Sequence, residues 1–161
     1  MKKDNVYKFM LDSMWNNVRK IREQLDSIFS DTDEGFKDAC KMVASELIEN
    51  SIKYGQDIEA SKGVELDVII EDGKIVLKSV NRLISMIDFD NVKFHIDRIN
   101  ASDNPEELYI SRLQELMDSS KHGQSQLGLY RIAYEGEFKL DYNLSNNVLI
   151  VTASRNLPTE I

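Results

Sequence analysis

Two stretches of strict alternation, each folded about a short turn, constrain this chain more than any other feature. Val64-Glu65-Leu66-Asp67-Val68-Ile69-Ile70 alternates as a half-buried strand, Asp72-Gly73 reads as a tight hairpin turn, and Ile75 to Val80 returns. Later, Phe138, Leu140, Tyr142 and Leu144 alternate, Ser145-Asn146-Asn147 turns, and Val148 to Ala153 completes a second hairpin. The segments before and between the hairpins carry helical spacing instead.

From Val6 to Phe29 the apolar residues Leu11, Met14, Val18, Ile21, Leu25 and Ile28 step by three and four, a heptad-like seam on a helix of six or seven turns, with Trp15 widening the stripe. Such a helix covers its own sheet or pairs with a copy of itself or a partner, and fewer than four heptads leave both open. Ser30-Asp31-Thr32-Asp33-Glu34-Gly35 is a connector rich in N-cap residues, and Asp31 with Glu34 forms a capping box for the next helix. That helix turns Ala39, Val43, Leu47 and Ile48 inward and stops near Gly55, and Gln56 to Gly63 follow as a polar loop. Asp88 to Ile99 reads as a short helix, although its alternation partly resembles a strand. Asn104-Pro105-Glu106-Glu107 opens another helix with an Asn cap, Pro at the first helical position and acids in the first turn. A polar loop, Asp118 to Gly123, separates it from a last helix.

Glu46, Asn50 and Lys53 share one side of the second helix. At ~100° per residue, Asn50 lies about 40° round from Glu46 and Lys53 about 20° the other way. An acid, a neutral oxygen donor and a cation in one row suit a hydrated magnesium ion holding a polyphosphate. The plainer reading is a solvated face of an amphipathic helix whose Leu47, Ile48 and Ile52 are buried, and spacing alone leaves both open.

With 161 residues the chain has room for one compact domain plus one extra element. Its single Cys40 cannot form an internal bridge and reads as a small buried hydrophobe. No apolar run approaches the ~20 residues that span a bilayer, and Met1-Lys2-Lys3-Asp4-Asn5 lacks the apolar stretch of a secretion signal, so a cytoplasmic protein is expected. Acidic residues number 28 against 20 basic, a formal charge of -8, which disfavours nucleic acid and anionic lipid and leaves a protein partner or small ligand. His95 and His122 have no His or Cys neighbour at metal-ligand spacing, which argues against a zinc site or a Cys-His nucleophile.

Glu46-Leu47-Ile48-Glu49-Asn50-Ser51-Ile52-Lys53-Tyr54-Gly55 resembles the N-box, Glu-Leu-x-x-Asn-x-x-Lys-Tyr-Gly, of the GHKL superfamily. This is the ATP-binding fold shared by histidine kinases, anti-sigma-factor serine kinases, gyrase B, Hsp90 and MutL. His122-Gly123-Gln124-Ser125-Gln126-Leu127-Gly128-Leu129-Tyr130-Arg131-Ile132 resembles its second glycine-rich box, usually Gly-x-x-Gly-Leu-Gly-Leu. The likeness covers about residues 30 to 154. Two places depart from the pattern. The Asp-x-Gly-x-Gly box that follows the hairpin reads Ser79-Val80-Asn81-Arg82-Leu83-Ile84, and Gln126 replaces the glycine before Leu-Gly-Leu. Asn81 after the strand, the Pro-Glu-Glu-Leu-Tyr helix and the shortened second box resemble SiaB-type bacterial regulators, relatives of the anti-sigma-factor serine kinases that work in partner-switching circuits.

The resemblance implies an α+β fold, a two-layer sandwich with a mixed, mostly antiparallel sheet covered by helices. Residues 1–29 would add a long N-terminal helix for dimer or partner contact, 30–154 would form the GHKL-like domain, and 155–161 a tail. It implies ATP and Mg2+ as cofactors and a signalling regulator that phosphorylates Ser or Thr on a partner, such as an anti-sigma antagonist. Glu46 would be the base, Asn50 the magnesium ligand, and Lys53, Asn81, Gly123, Ser125 and Gly128 the nucleotide contacts. The first helix has no His and so cannot be the phosphoacceptor helix of a histidine kinase. The alternative is a degenerate GHKL-fold scaffold that binds a protein partner without ATP turnover.

Overall fold

A computed structural model of the chain defines residues 4–11, 16–54, 64–83, 85–118 and 126–158. The elements run β1 (Asn5–Leu11), α1 (Asn16–Ile28), α2 (Glu34–Tyr54), β2 (Val64–Glu71), β3 (Lys74–Arg82), α3 (Met86–Asn100), α4 (Pro105–Asp118), α5 (Leu127–Tyr134), β4 (Lys139–Ser145) and β5 (Val148–Asn156). The strands form one five-stranded sheet in the order β1-β2-β3-β5-β4, antiparallel at every pairing.

Both hairpin turns fall where the sequence places them. Asp72 and Gly73 have φ of 52° and 74°, and Asn146 and Asn147 have φ of 53° and 63°. Two successive positive φ values give the local twist that matches paired strands, and Asp, Asn and Gly tolerate them. Alternation then sorts the side chains. Ile75, Leu77, Ser79 and Asn81 of β3 are buried while their neighbours are more exposed, and β5 buries Leu149, Val151 and Ala153 in the same way. That inner face meets Cys40, Val43, Ala44, Leu47 and Ile48 of α2, Val92 and Ile96 of α3, and Leu129 and Ile132 of α5 in one core. Each fully buried aliphatic side chain contributes about 1.5–3 kcal/mol, so this one-sided layer carries the stability of the fold. Cys40 lies within it, fully buried, and desolvation pushes its thiol pKa up to about 12. It is the small hydrophobe expected, not a nucleophile.

The long N-terminal helix expected over residues 6–29 is not what forms. Residues 5–11 are instead an edge strand whose Tyr7 and Phe9 pair with Val68 and Leu66 of β2. Among the described residues the heptad-like seam is helical over Asn16–Ile28, and Met14 and Trp15 lie outside the described residues. There Ile21 and Leu25 are 1% and 0% exposed, and they lie in the core that α2 shares. Arg22 Nη1 donates to Ser45 Oγ at 3.0 Å and Lys41 Nζ to Asp26 at 2.9 Å, fastening α1 to α2. The seam therefore faces the chain's own core. The cap of α2 also differs from the expected Asp31–Glu34 box: Asp33 Oδ2 accepts from the Phe36 amide at 3.0 Å, because the helix begins at Glu34. At α4, Asn104 Oδ1 accepts from the Glu107 amide at 3.1 Å, the cap expected there. The mixed segment before it is a helix of 15 residues, α3, capped by Ser85. No helix among the described residues is long and apolar enough to cross a membrane.

Candidate functional site

The site grows from the contact between α2 and α5. Glu46 and Asn50 sit one turn apart on α2, next to the buried Leu47 and Ser51. Opposite them α5 begins at Leu127, so Gly128 lies in its first turn. The missing side chain of Gly128 is filled by Glu46: a methyl group there would overlap Glu46 Oε2 and lie 3.0 Å from its Cδ. The same carboxylate accepts from Arg131 Nη1 at 2.7 Å, and Arg131 also donates through Nε to Glu135 at 3.1 Å. Gly128 and Arg131 are three residues apart, hence on one face of α5, and both meet Glu46. Its side chain is only 14% exposed. Burial, helped by the charge of Glu49, raises the Glu46 carboxyl pKa, and Arg131 opposes that rise.

Asn50 and Asn81 reach the same place from different elements. They line one hollow of about 10 Å³ together with Leu47, Val92, Leu129 and Leu149. Asn81 is 5% exposed, and its Nδ2 makes a long bond, 3.4 Å, to the adjacent Arg82 carbonyl. A hollow of this size holds about one water molecule. Two amides thus share the wall with Ser51 and Ser79, and hydrocarbon makes up the rest. Lys53 belongs to α2, but its side chain, like Gly123 and Ser125 as a whole, lies outside the described residues. Among the described residues no group of three or more His, Cys, Asp or Glu could hold a metal ion.

The residue that departs from the glycine pattern keeps a glycine's shape. Gln126, the cap residue of α5, has φ 47° and ψ 22°, left-handed, and makes no capping bond. A non-glycine residue pays roughly 1–2 kcal/mol for this. Its side chain is buried, and among the described residues neither amide atom has a hydrogen-bond partner. That combination is uncommon in a folded chain.

Sequence reasoning did not single out the polar knot on the far side of α5. His95 Nδ1 and the Tyr130 hydroxyl are hydrogen-bonded at 2.5 Å, and Arg98 Nη1 donates to that hydroxyl at 3.4 Å. Arg98 also grips Glu115 through two bonds, which Arg112 joins at 3.1 Å, so α3, α4 and α5 are locked together. Burial, then the Arg112 and Arg98 charges, lowers the His95 pKa to about 4, so the ring is neutral at physiological pH. The only cues in the sequence were a His and a Tyr at inward positions of two helices. Arg131 was likewise missed, although its place three residues after Gly128 on one helix was the available signal.

No family model matches the chain, and no curated protein matches it in sequence. Among solved structures it is similar to that of the RsbU and RsbW domains of Rv1364c from Mycobacterium tuberculosis. The TM-score is 0.52 at 14% identity, over 98% of this chain and 35% of that one. This chain therefore spans about a third of the length of that protein's solved chain. At that identity the likeness speaks to architecture alone. The one-sided antiparallel sheet, its helical cover and this likeness together give the chain an α+β fold similar to part of that structure.

Proposed function

We propose that this chain is a bacterial partner-switching regulator whose GHKL-type domain acts by engaging a protein partner, without turning over ATP. One observation carries the second half of that statement. The hollow shared by Asn50 and Asn81 is about 10 Å³ and walled by Leu47, Val92, Leu129 and Leu149. Drug-sized ligands occupy pockets of roughly 300–1,000 Å³. The amide oxygens and the Glu46 carboxylate have suitable chemistry for magnesium and a nucleotide, but the hollow beside Asn50 and Asn81 does not hold one, and Glu46 does not line it. The likeness to a protein with an RsbW domain supports a partner of the anti-sigma-antagonist kind. Asn81 and the Pro105 helix support the SiaB-type branch within that group.

A second reading, an ATP-dependent serine/threonine kinase, is favoured by Glu46. A largely buried carboxyl with a raised pKa, set against the first turn of a helix, is what a general base requires. Melting the protein with ATP and Mg2+ separates the two. At 100 times its dissociation constant a nucleotide stabilises a fold by about 2.7 kcal/mol. No shift at millimolar ATP is expected from the proposal; a shift, with phosphate transfer to a partner that is lost in Glu46→Gln, establishes the kinase.

A further inference from the structure

A groove of about 910 Å³ opens between the end of α3, the first turn of α4, the end of α5 and the start of β4. It lies at the far end of α5 from Gly128, apart from the hollow of Asn50 and Asn81. Ile99, Phe138 and Leu140, all nearly buried, form its bottom. Three exposed carboxylates, Glu106, Glu137 and Asp141, stand round it against the single cation of Lys139. Three uncharged polar side chains of the wall are already engaged. Asn100 Nδ2 donates to the Leu140 carbonyl, Asn104 Oδ1 accepts from the Glu107 amide and Ser102 Oγ accepts from the Asn104 amide, each at 3.1 Å. The cap at Asn104 and the acids of the first turn also satisfy the N-terminus of α4, which therefore calls for no outside anion. The carboxylates are less committed. Among the described residues Glu106 and Asp141 form no ion pair, Asp141 Oδ1 accepts from the Tyr142 amide at 2.8 Å, and Glu137 has Arg155 at 3.7 Å. Acceptor oxygen above hydrocarbon is what the groove offers a ligand.

We propose that this groove binds an extended basic segment of a protein partner, an apolar side chain on the floor and Arg or Lys side chains reaching the three carboxylates. Its volume lies within the roughly 300–1,000 Å³ of pockets that enclose a ligand. Arg and Lys suit such a place because their stems pack on hydrocarbon while their heads stay at the rim. An anion would meet three carboxylates against one ammonium, and an uncharged apolar ligand would leave them unused. The chain's formal charge of -8 attracts a basic segment from a distance as well. The turn that presents Glu137 is rigid before any ligand arrives. Glu137 holds φ 56°, a left-handed conformation that glycine adopts freely and Glu does not. Beside it Gly136 is hemmed in, since a Cβ there would lie 2.8 Å from both the Ile132 carbonyl oxygen and Val43 Cγ2. Arg155 Nη1 donates to the Gly136 carbonyl at 2.9 Å, and the Phe138 amide donates to the Ile132 carbonyl at 3.1 Å. A rim fixed in advance loses little freedom on binding. The proposal rests on the partner-binding reading in one respect only, that the ligand is a protein segment.

The test is titration of the full chain into a fluorescein-labelled peptide of alternating arginine and leucine, read by anisotropy. Saturable binding with a Kd of about 10 μM is expected, and none up to ~1 mM overturns the proposal. Neutralising the rim with Glu106→Gln, Glu137→Gln and Asp141→Asn together should weaken binding by about tenfold or more. Glu23→Gln, Asp38→Asn and Glu71→Gln together change the net charge equally outside the groove and should leave Kd as it was. Equal weakening by the two sets means attraction to net charge alone and overturns the proposal. Spermidine binding that the rim variant loses, with no peptide binding, makes this a small-amine site and overturns it too. Should the rim variant unfold, Glu137→Gly decides. It removes one carboxylate and frees the left-handed backbone, so the peptide should bind about threefold more weakly while the urea midpoint rises; binding of full strength overturns the proposal. Melting with ATP concerns the hollow of Asn50 and Asn81, so that reading and this one fail separately.

Discussion

Gly128→Ala tests how closely α2 and α5 fit. The added methyl group would overlap Glu46 Oε2 and sit 3.0 Å from Cδ and 3.5 Å from Cβ. The carboxylate must move, and moving breaks the 2.7 Å bond to Arg131. Overpacking of this kind costs about 1–3 kcal/mol, while alanine in place of glycine within a helix returns roughly 1 kcal/mol. The net loss should be about 1 kcal/mol. With Glu46→Ala in the background, only the Cβ at 3.5 Å remains, an ordinary van der Waals contact. There the same substitution should stabilise by about 0.5–1 kcal/mol, a coupling of roughly 1.5–2 kcal/mol between the two positions. Urea unfolding of the wild type, both single variants and the double measures it. In a chain of this size the change also moves the melting temperature by about 2–4 °C per kcal/mol. If Gly128→Ala has the same effect in both backgrounds, Glu46 does not seat against α5 as described.

Two further predictions concern the turn of α5 and the knot behind it. His95 falls to about 4 from 6.5, so between those pH values the unfolded chain binds a proton that the folded chain refuses. His95's contribution to stability is therefore full above about pH 6.5 and declines toward pH 4, by on the order of 3 kcal/mol; His95→Gln should flatten that slope in urea titrations, and a variant that keeps it removes His95 as the cause. Gln126→Gly relieves a left-handed backbone and a buried unpaired amide, each worth roughly 1 kcal/mol or more, against the loss of a buried stem. The urea midpoint should rise, and a fall would mean that the amide has a stabilising role.

The parts of this fold that were legible in the sequence are those decided locally. Asp72-Gly73 and Asn146-Asn147 announce their turns because few residues tolerate two positive φ values in succession. Asn104-Pro105 announces α4 because a side-chain acceptor and a missing amide suit the first turn of a helix. β1 was hidden because its register is set from far along the chain, by Leu66 and Val68, while Leu11 and Met14 happen to continue the spacing of α1. Capping at Asp33 and not Asp31 is a shift of two residues within a connector where several side chains could serve. In the site, Glu46, Asn50 and Gly128 could be named from their pattern, but the pattern does not measure volume. The narrowness of the hollow depends on Val92, Leu129 and Leu149, which arrive from three other elements. Arg131 and the His95–Tyr130 bond are likewise tertiary, made by side chains whose own neighbourhoods look ordinary.

The route by which the sheet is stitched also governs how the chain reaches it. Its two hairpins close over turns of two residues, yet β1 must find β2 across all of α1 and α2, and β3 must find β5 across α3, α4 and α5. Closing those long loops carries the larger entropy, and it falls due before most of the core contacts exist. Local zippers thus form within microseconds, while the rate of the whole is set by the two distant seams.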